Sequence, residues 1–218
     1  MLNNIIIAID GEASSGKSTQ AKKIADHFGY SYLDSGAFYR AITLFFKRKG
    51  ITKIDKFNRN ELDNISLNSK YNRGKNLIYL NGEDVSDDIR SAVISEIVSD
   101  FAKEKEVREH VYKHLRKFSK NQSTVIDGRD IGTVVFPDAD FKFFLYADPK
   151  IRAKRRFSEI NKDGINYNSV LDNLNYRDNI DSTRDIAPLK KADDANSIDV
   201  STLSIDQVFK KVLNIIEK

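Results

Sequence analysis

The sequence predicts an α/β fold in which a five-stranded parallel sheet is flanked by helices. A short apolar run at residues 5–9 is followed by a glycine-containing loop and an amphipathic segment over residues 17–28, which indicates a strand, a loop and a helix. The same alternation of short apolar runs and helical patterns recurs along the chain. Charged residues cluster after several predicted strands, the edge at which parallel sheets bind ligands.

The first half of the chain extends this alternation and then departs from it. A short strand over 30–33 precedes a helix over 37–49, which continues the rhythm of a parallel sheet. Alternating apolar and polar residues at 65–68 and 77–80 flank a turn-forming segment at 72–76. This part therefore predicts a small antiparallel insert.

The second half returns to the sheet. Apolar positions at roughly helical spacing predict a long helical connection over 89–119 with a break near Glu104. Apolar runs at 123–126 and 141–146 predict buried strands, and the second leads into a basic helix that starts at Pro149, since proline favours the first turn. The last predicted elements are a helix over 169–180, a strand over 197–200 and a helix over 204–216.

Composition restricts the classes of protein. A chain of 218 residues with 40% apolar and 31% charged residues fits one soluble domain, and its N-terminal apolar run is too short for a signal peptide or a membrane span. The absence of cysteine excludes disulfides and thiolate chemistry and fits a cytoplasmic location. A net charge of +4 fits either nucleic acid or a small anionic substrate, so the placement of the arginines must decide.

The loop after the first strand matches the phosphate-binding pattern G-x-x-x-x-G-K-[ST]. Its backbone amides would wrap a phosphate at a helix N-terminus, Lys17 would bridge the outer phosphates, and the Ser18 hydroxyl would hold magnesium. A chance match on a surface loop is the alternative, but the strand before and the helix after argue against it. The residues expected to bind a nucleoside triphosphate are Gly11, Glu12, Ala13, Ser14, Ser15, Gly16, Lys17, Ser18 and Thr19.

Two clusters follow predicted strands. In residues 34–40, Ser35 could cap the next helix and Arg40 could be a surface charge, and we weigh these interpretations evenly against a functional role. In residues 127–130, Asp127 stands where a magnesium shell is anchored beside such a loop, and Arg129 offers a planar fork to a phosphate. The alternative is an Asp-Gly turn with a structural ion pair.

Further arginines lie toward the C-terminus. Arg152, Arg155 and Arg156 share one helical face, and Arg177 and Arg184 follow, which suits phosphoryl transfer because it needs several cations. The segment 161–164 between these groups has the composition of a lid. It resembles the guanine-reading motif N-K-x-D, but Gly164 stands where that motif requires aspartate, so we discard a GTPase function. His110 and His114 have the spacing of a metal pair but no evident third ligand, so we interpret them as surface residues.

Four longer segments make the sequence closely similar to the bacterial cytidylate kinases, P-loop nucleoside monophosphate kinases that act on CMP and dCMP. These segments are residues 33–40, 80–85, 127–137 and 184–189, and the resemblance covers essentially the whole chain. It implies a P-loop kinase fold with an enlarged monophosphate-binding insert over about 36–100 and a short lid over about 152–168. It also implies ATP as phosphoryl donor and magnesium as cofactor.

The resemblance further implies roles for individual residues. Ser35, Tyr39, Arg40 and Arg129 would surround the CMP phosphate, and Ser99, Arg108 and Asp130 would contact cytosine. Arg177 and Asp181 would approach the sugar. Arg184, with Arg152, Arg155 or Arg156, would stabilise the transferring phosphoryl group together with Lys17, and Asp127 would hold magnesium through water. The implied partners are CMP, dCMP and ATP, without nucleic acid or membrane, and the protein is expected to be a monomer.

One position departs from that family's pattern, because Glu12 follows the first glycine where proline is common. We expect its side chain to point into solvent. Two other functions remain open on the residues alone. A kinase of another small molecule, such as shikimate, would have no use for a base-reading pair like Arg108 and Asp130. A nucleic-acid-binding ATPase would favour a continuous basic stripe, whereas these arginines cluster near strand ends.

Overall fold

The computed structural model describes residues 4–72, 74–160 and 166–218. A five-stranded sheet, in which every pairing is parallel, has the order β2-β6-β1-β7-β8, and a three-stranded antiparallel sheet has the order β3-β4-β5. The strands are β1 (Ile6–Gly11), β2 (Ser31–Asp34), β3 (Leu67–Asn72), β4 (Lys75–Leu80), β5 (Glu83–Asp84), β6 (Thr124–Gly128), β7 (Phe141–Tyr146) and β8 (Asn196–Asp199). The predicted five-stranded parallel sheet is therefore confirmed.

Most of the helices pack on one of the two faces of the large sheet, and two pack with the loop that follows β1. They are α1 (Lys17–Phe28), α2 (Ser35–Arg48), α3 (Ala92–Phe101), α4 (Lys105–Ser119), α5 (Pro149–Ile160), α6 (Tyr167–Thr183) and α7 (Ile205–Ile216). Helices α2, α3 and α4 and the small sheet share one hydrophobic core with one face, and α1 and α7 share a second core with the other. No helix in the described ranges is long and apolar enough to cross a membrane.

Strand register brings the functional loops to one edge of the sheet. Asp127 of β6 pairs with Ile9 of β1 and with Asp34 of β2, so the carboxyl ends of the three strands lie side by side. Gly11 ends β1 with φ of +146°, and a Cβ there would lie 1.9 Å from the carbonyl oxygen of Leu145 on β7. Only glycine fits, because both the backbone conformation and the close approach of β7 exclude a side chain.

Several boundaries differ from the sequence expectations. The predicted turn at 72–76 is too long, since β3 continues to Asn72 and β4 begins at Lys75. The predicted break at Glu104 is confirmed, because this residue is extended between α3 and α4. The suggestion that Ser35 caps α2 is wrong, since Asp34 accepts the Ala37 N–H at 3.0 Å. The proposed lid segment 161–164 lies outside the described residues.

Candidate active site

The loop between β1 and α1 has the conformation that its glycines predict. Gly16 is left-handed at the N-terminus of α1, with φ of +86°, and Ser14 is left-handed at +57°. The Lys17 ammonium folds back onto the loop, where it donates to the carbonyl of Glu12 and lies 3.4 Å from Ser15 Oγ. Burial, followed by repulsion from Arg129, lowers the pKa of Lys17. An anion bound in this loop would offset the cost of burying the ammonium group and raise the pKa of Lys17.

Glu12 does not point into solvent, so that expectation is wrong. Its Oε2 accepts the N–H of Ala147 at 3.3 Å and lies 3.2 Å from Nε of Arg152. Arg152 also donates to the carbonyls of Ala13 and Ala147, at 3.1 and 2.9 Å, and pairs with Asp178. The Ala13 N–H in turn donates to Asp178 at 3.0 Å. Arg152 and Asp178 therefore hold both sides of one loop residue.

Replacing Arg152 by methionine is expected to lower the free energy of unfolding by about 3–5 kcal/mol, because two partly buried carboxylates lose their cation. Urea denaturation of the ligand-free protein measures this change. Arg156→Met, on the same helix but half-exposed and paired with Glu159, is the matched control and is expected to cost less than about 1 kcal/mol. Equal effects of the two substitutions would show that the Arg152 network does not stabilise the loop.

Asp127 joins the loop to the neighbouring strands. Its carboxylate accepts from Ser18 Oγ at 2.8 Å and from the Tyr32 hydroxyl at 2.7 Å, and its carbonyl accepts from Ser35 Oγ at 2.8 Å. Burial, followed by repulsion from Asp34, raises its pKa to about 6. A hydroxyl and a carboxylate at this spacing are hard oxygen donors of the kind magnesium takes. The residues present therefore fit a magnesium ion beside the loop.

Asp127→Asn is expected to stabilise the ligand-free protein at pH 7.5 by about 1–3 kcal/mol, since it removes a buried charge. The hydroxyls of Ser18 and Tyr32 can each donate or accept, so both can still bond to the amide. The folded pKa lies above the unfolded value, so wild-type stability rises as the pH falls through about 6, and the gain from the substitution shrinks toward pH 4. Thermal unfolding at pH 7.5 and 4.5 measures it. Destabilisation at pH 7.5 would contradict the assigned burial cost.

Four arginines lie close together beside this loop: Arg40 of α2, Arg156 of α5, Arg177 of α6, and Arg129, which follows β6. Burial, then repulsion from Arg129, Arg40 and Arg156, lowers the pKa of Arg177 to about 10. Arg129 is partly neutralised, because its Nε donates to Asp181 Oδ2 at 2.8 Å. Within the described residues, Nε of Arg177 is buried without a hydrogen-bond partner. Buried donors are nearly always paired, and an anion bound in this cluster would supply the missing acceptor.

A second group lies deeper and is nearly closed to solvent. Arg108 and Asp130 form an ion pair at 2.7 Å, with 1% and 4% of their side chains exposed. Tyr112 completes a triangle, since its hydroxyl accepts from Arg108 Nε at 2.8 Å and donates to Asp130 at 2.6 Å. Arg184 lies 3.6 Å from the other carboxylate oxygen of Asp130. This group offers fixed donors and acceptors beside the arginine cluster.

Comparison with known proteins decides the family. A family model described as cytidylate kinase matches residues 7–218. The chain belongs to the cytidylate kinase family. It is 46% identical to a cytidylate kinase of Fusobacterium nucleatum, over 100% of this chain and 99% of that protein. It is 42% identical to one of Clostridioides difficile, over 98% of each.

Solved structures support the same fold at much lower identity. A shikimate kinase of Bacteroides thetaiotaomicron aligns with a TM-score of 0.51 at 12% identity, over 98% of this chain and 99% of that one. An uncharacterized protein from Eubacterium ventriosum aligns with a TM-score of 0.57 at 16% identity, over 99% of both chains. These likenesses confirm a P-loop kinase fold for this member of the cytidylate kinase family.

The structure leaves some predicted site residues outside the two groups. Ser99 lies half-buried on α3. Arg155 donates to the carbonyl of Val200 at 2.6 Å, whereas Arg156 of the arginine cluster also pairs with Glu159. On α4, the Nε2 of His110 lies 3.1 Å from the Ile65 carbonyl, so that nitrogen has a protein partner.

Sequence reasoning missed several residues that hold the site together. Tyr112 stands one helical turn after Arg108, a spacing that could have indicated their contact. Ser95 accepts from Arg40 at 2.9 Å, and Asp178 supports the loop at Ala13. Neither has a local pattern that separates it from an ordinary helix residue. Asp10 lies directly before Gly11, and its carboxylate accepts the backbone N–H groups of Ile131 and Gly132.

Proposed function

We propose that this protein transfers the γ-phosphoryl group of ATP to CMP or dCMP and releases ADP with CDP or dCDP. The observation that carries the proposal is the arginine cluster beside the phosphate loop, in which Arg177 has a buried donor without a partner among the described residues. A second phosphate group at this position would neutralise the mutual repulsion of the arginines. The membership of the cytidylate kinase family supports the same reaction.

On the donor side, the loop amides, Lys17 and Ser18 would bind the ATP phosphates. Lys17 needs to turn from the Glu12 carbonyl toward the phosphates, whose negative charge would raise its pKa again. Ser18 and Asp127, the latter through water, would hold magnesium, and the ion would neutralise charge on the donor phosphates when bound. Arg152 would act by supporting the loop, since its Nε and Nη1 already bond to protein groups.

On the acceptor side, the phosphate of CMP would lie among Arg40, Arg129 and Arg177. Ser35 lies at the same edge, where its hydroxyl donates to the Asp127 carbonyl at 2.8 Å. Tyr39 lies beside the second group instead, with the Arg108 guanidinium 5.2 Å from its ring, and its buried hydroxyl has no partner among the described residues. Asp181, which already holds Arg129 and lies 3.4 Å from Arg184, would accept from a sugar hydroxyl. Charge-assisted donors of this kind fix both the position and the orientation of a phosphate.

The base would be read by Arg108 and Asp130, and Ser99 of α3 stays a proposed contact of the base. Cytosine has an exocyclic amino group that a carboxylate can accept, and ring acceptors that a guanidinium can satisfy. Uracil has a carbonyl oxygen in place of the amino group. That oxygen and the Asp130 carboxylate are both hydrogen-bond acceptors, so they would repel each other. A rigid, buried hydrogen-bonding site of this kind discriminates strongly against the wrong partner.

Transfer would proceed in line without a covalent enzyme intermediate. An oxygen of the CMP phosphate forms a bond to the γ-phosphorus as the bond to the ADP oxygen breaks. The acceptor phosphate is anionic at neutral pH, so Lys17, Arg129, Arg156 and Arg184 need only position the groups and neutralise charge. We also propose that 36–100 form the monophosphate-binding insert and 152–168 a lid that excludes water.

The remaining proposals concern the setting of the enzyme. We propose that it acts as a cytoplasmic monomer on free nucleotides, not on nucleic acid. The absence of cysteine and the grouping of arginines at one edge of the sheet support this. A continuous basic stripe along one face would instead favour a nucleic-acid strand.

An assay of ADP release with CMP, dCMP, UMP, AMP and GMP as acceptors tests the proposed function. We expect CMP and dCMP to be the preferred acceptors, with no release when magnesium is chelated. Preference for any of the other three acceptors would overturn the substrate assignment. Release that is independent of every acceptor, with binding to single-stranded nucleic acid that weakens as salt rises, would favour a nucleic-acid-dependent ATPase.

A further inference from the structure

Asp10 is a buried carboxylate that the proposed chemistry does not use. It lies on β1 directly before Gly11 and is 5% exposed. Its two oxygens accept the backbone N–H groups of Ile131 and Gly132, at 2.9 and 2.7 Å. Both donors belong to the single turn that follows Asp130. Asp10 therefore links the start of the phosphate loop to the segment that carries the base-reading carboxylate.

This carboxylate is costly to bury. Loss of hydration raises the pKa of Asp10 to about 6, although its two backbone hydrogen bonds act in the opposite direction, and Asp130 adds repulsion. An apolar residue would avoid that cost only by leaving two buried N–H groups without acceptors. A charged acceptor at the end of β1 is thus a specific solution for fixing the peptide groups of residues 131 and 132.

The fixed peptide groups determine where Asp130 stands. Its carbonyl accepts from the N–H groups of Val134 and Val135, at 2.9 and 3.1 Å, and the next two N–H groups bind Asp10. The Asp130 backbone is therefore held from its C-terminal side, in the position where its carboxylate meets Arg108 at 2.7 Å. Displacement of this turn would move the carboxylate away from the base.

We propose that Asp10 is a positioning residue that fixes Asp130 for selection of the nucleobase and ties that selection to the phosphate loop. The proposal rests on the proposed function, because its effect is expressed through recognition of cytosine. Asp10 itself would touch neither nucleotide. Its removal should weaken discrimination between bases, which a residue that only stabilises the fold would not change.

Asp10→Asn tests the proposal, because an amide has one acceptor oxygen and its NH₂ would face the second N–H. We expect the KM for CMP to rise about ten-fold, and the ratio of kcat/KM for CMP over UMP to fall by a similar factor. The KM for ATP should change by less than about two-fold. Asp140→Asn is the matched control, since Asp140 accepts the Ile6 N–H at 2.7 Å at the opposite end of β1.

An equal rise in both KM values with an unchanged CMP-to-UMP ratio would overturn the proposal, because Asp10 would then act through the phosphate loop. Gly132→Ala decides the question if Asp10→Asn does not fold. A Cβ there would lie 3.4 Å from Asp10 Oδ2 and 3.2 Å from Lys142 Cδ, and it leaves β1 unchanged. Its CMP-to-UMP ratio should fall, and a wild-type ratio would count against the proposal. A wild-type enzyme without preference for CMP would instead contradict the proposed function.

Discussion

Replacing Lys17 by methionine should lower kcat for the transfer of phosphate from ATP to CMP by about a thousand-fold, because the loop loses the cation that neutralises the transferring group. Methionine has nearly the same length as lysine and no charge to bury. We therefore expect the ligand-free variant to fold with an unfolding temperature at or above that of the wild type, since burial disfavours the ammonium in the ligand-free state. Steady-state kinetics and thermal unfolding measure the two effects.

Lys23→Met is the matched control for this prediction. Lys23 lies on the same helix, is 37% exposed and pairs with Asp206 at the surface, so its loss should leave kcat near the wild-type value. A similar fall in kcat in both variants would show a general disturbance of α1. A Lys17→Met enzyme with unimpaired kcat would remove the loop from the proposed mechanism.

Asp130→Asn should reduce the ratio of kcat/KM for CMP over UMP by about a hundred-fold or more. In the proposed complex the carboxylate would accept from the cytosine amino group, whereas the carboxamide could turn its NH₂ group toward the uracil oxygen. The substitution also weakens the buried pair with Arg108, so we expect a lower free energy of unfolding. Kinetics with both acceptors separate the change in selectivity from the loss of stability.

Asp138→Asn provides the control, because Asp138 is exposed and lies shortly after the same segment. Its CMP-to-UMP ratio should match the wild type. Arg108→Met is expected to raise the KM for CMP as Asp130→Asn does, and the double variant should show less than the sum of the two effects, since the residues contact each other. Additive effects would mean that the pair does not read the base as a unit.

The sheet and its helices could be predicted because their signals are local. The apolar run at β1, the glycines and Lys17 of the loop, and the helical spacing of α1 all lie within one short stretch. Glu104 could be identified as a break because the apolar pattern shifts there. The extent of the β3–β4 hairpin was less predictable, since the polar residues Lys75 and Asn76 continue the strand through pairing across the hairpin, where Asn76 also accepts from Ser69 at 2.8 Å.

The site was harder to predict wherever it depends on contacts between distant segments. Glu12 was misjudged because its partner Arg152 lies on α5, and nothing in the loop itself indicates that contact. Asp178 and Ser95 support site residues across similar separations, which pattern reasoning on a single sequence does not detect. Arg108 and Asp130 were proposed through the family resemblance, and the structure adds that Tyr112 holds them together.

A crystal structure of the protein with CMP and a non-hydrolysable ATP analogue tests the proposed positions of the two nucleotides. We expect the CMP phosphate to lie within hydrogen-bond distance, about 3 Å, of Arg177 Nε. We also expect the cytosine amino group to meet the Asp130 carboxylate and the analogue's phosphates to lie in the 11–18 loop. A CMP molecule bound with its base among the arginines, or away from Arg108 and Asp130, would contradict these positions.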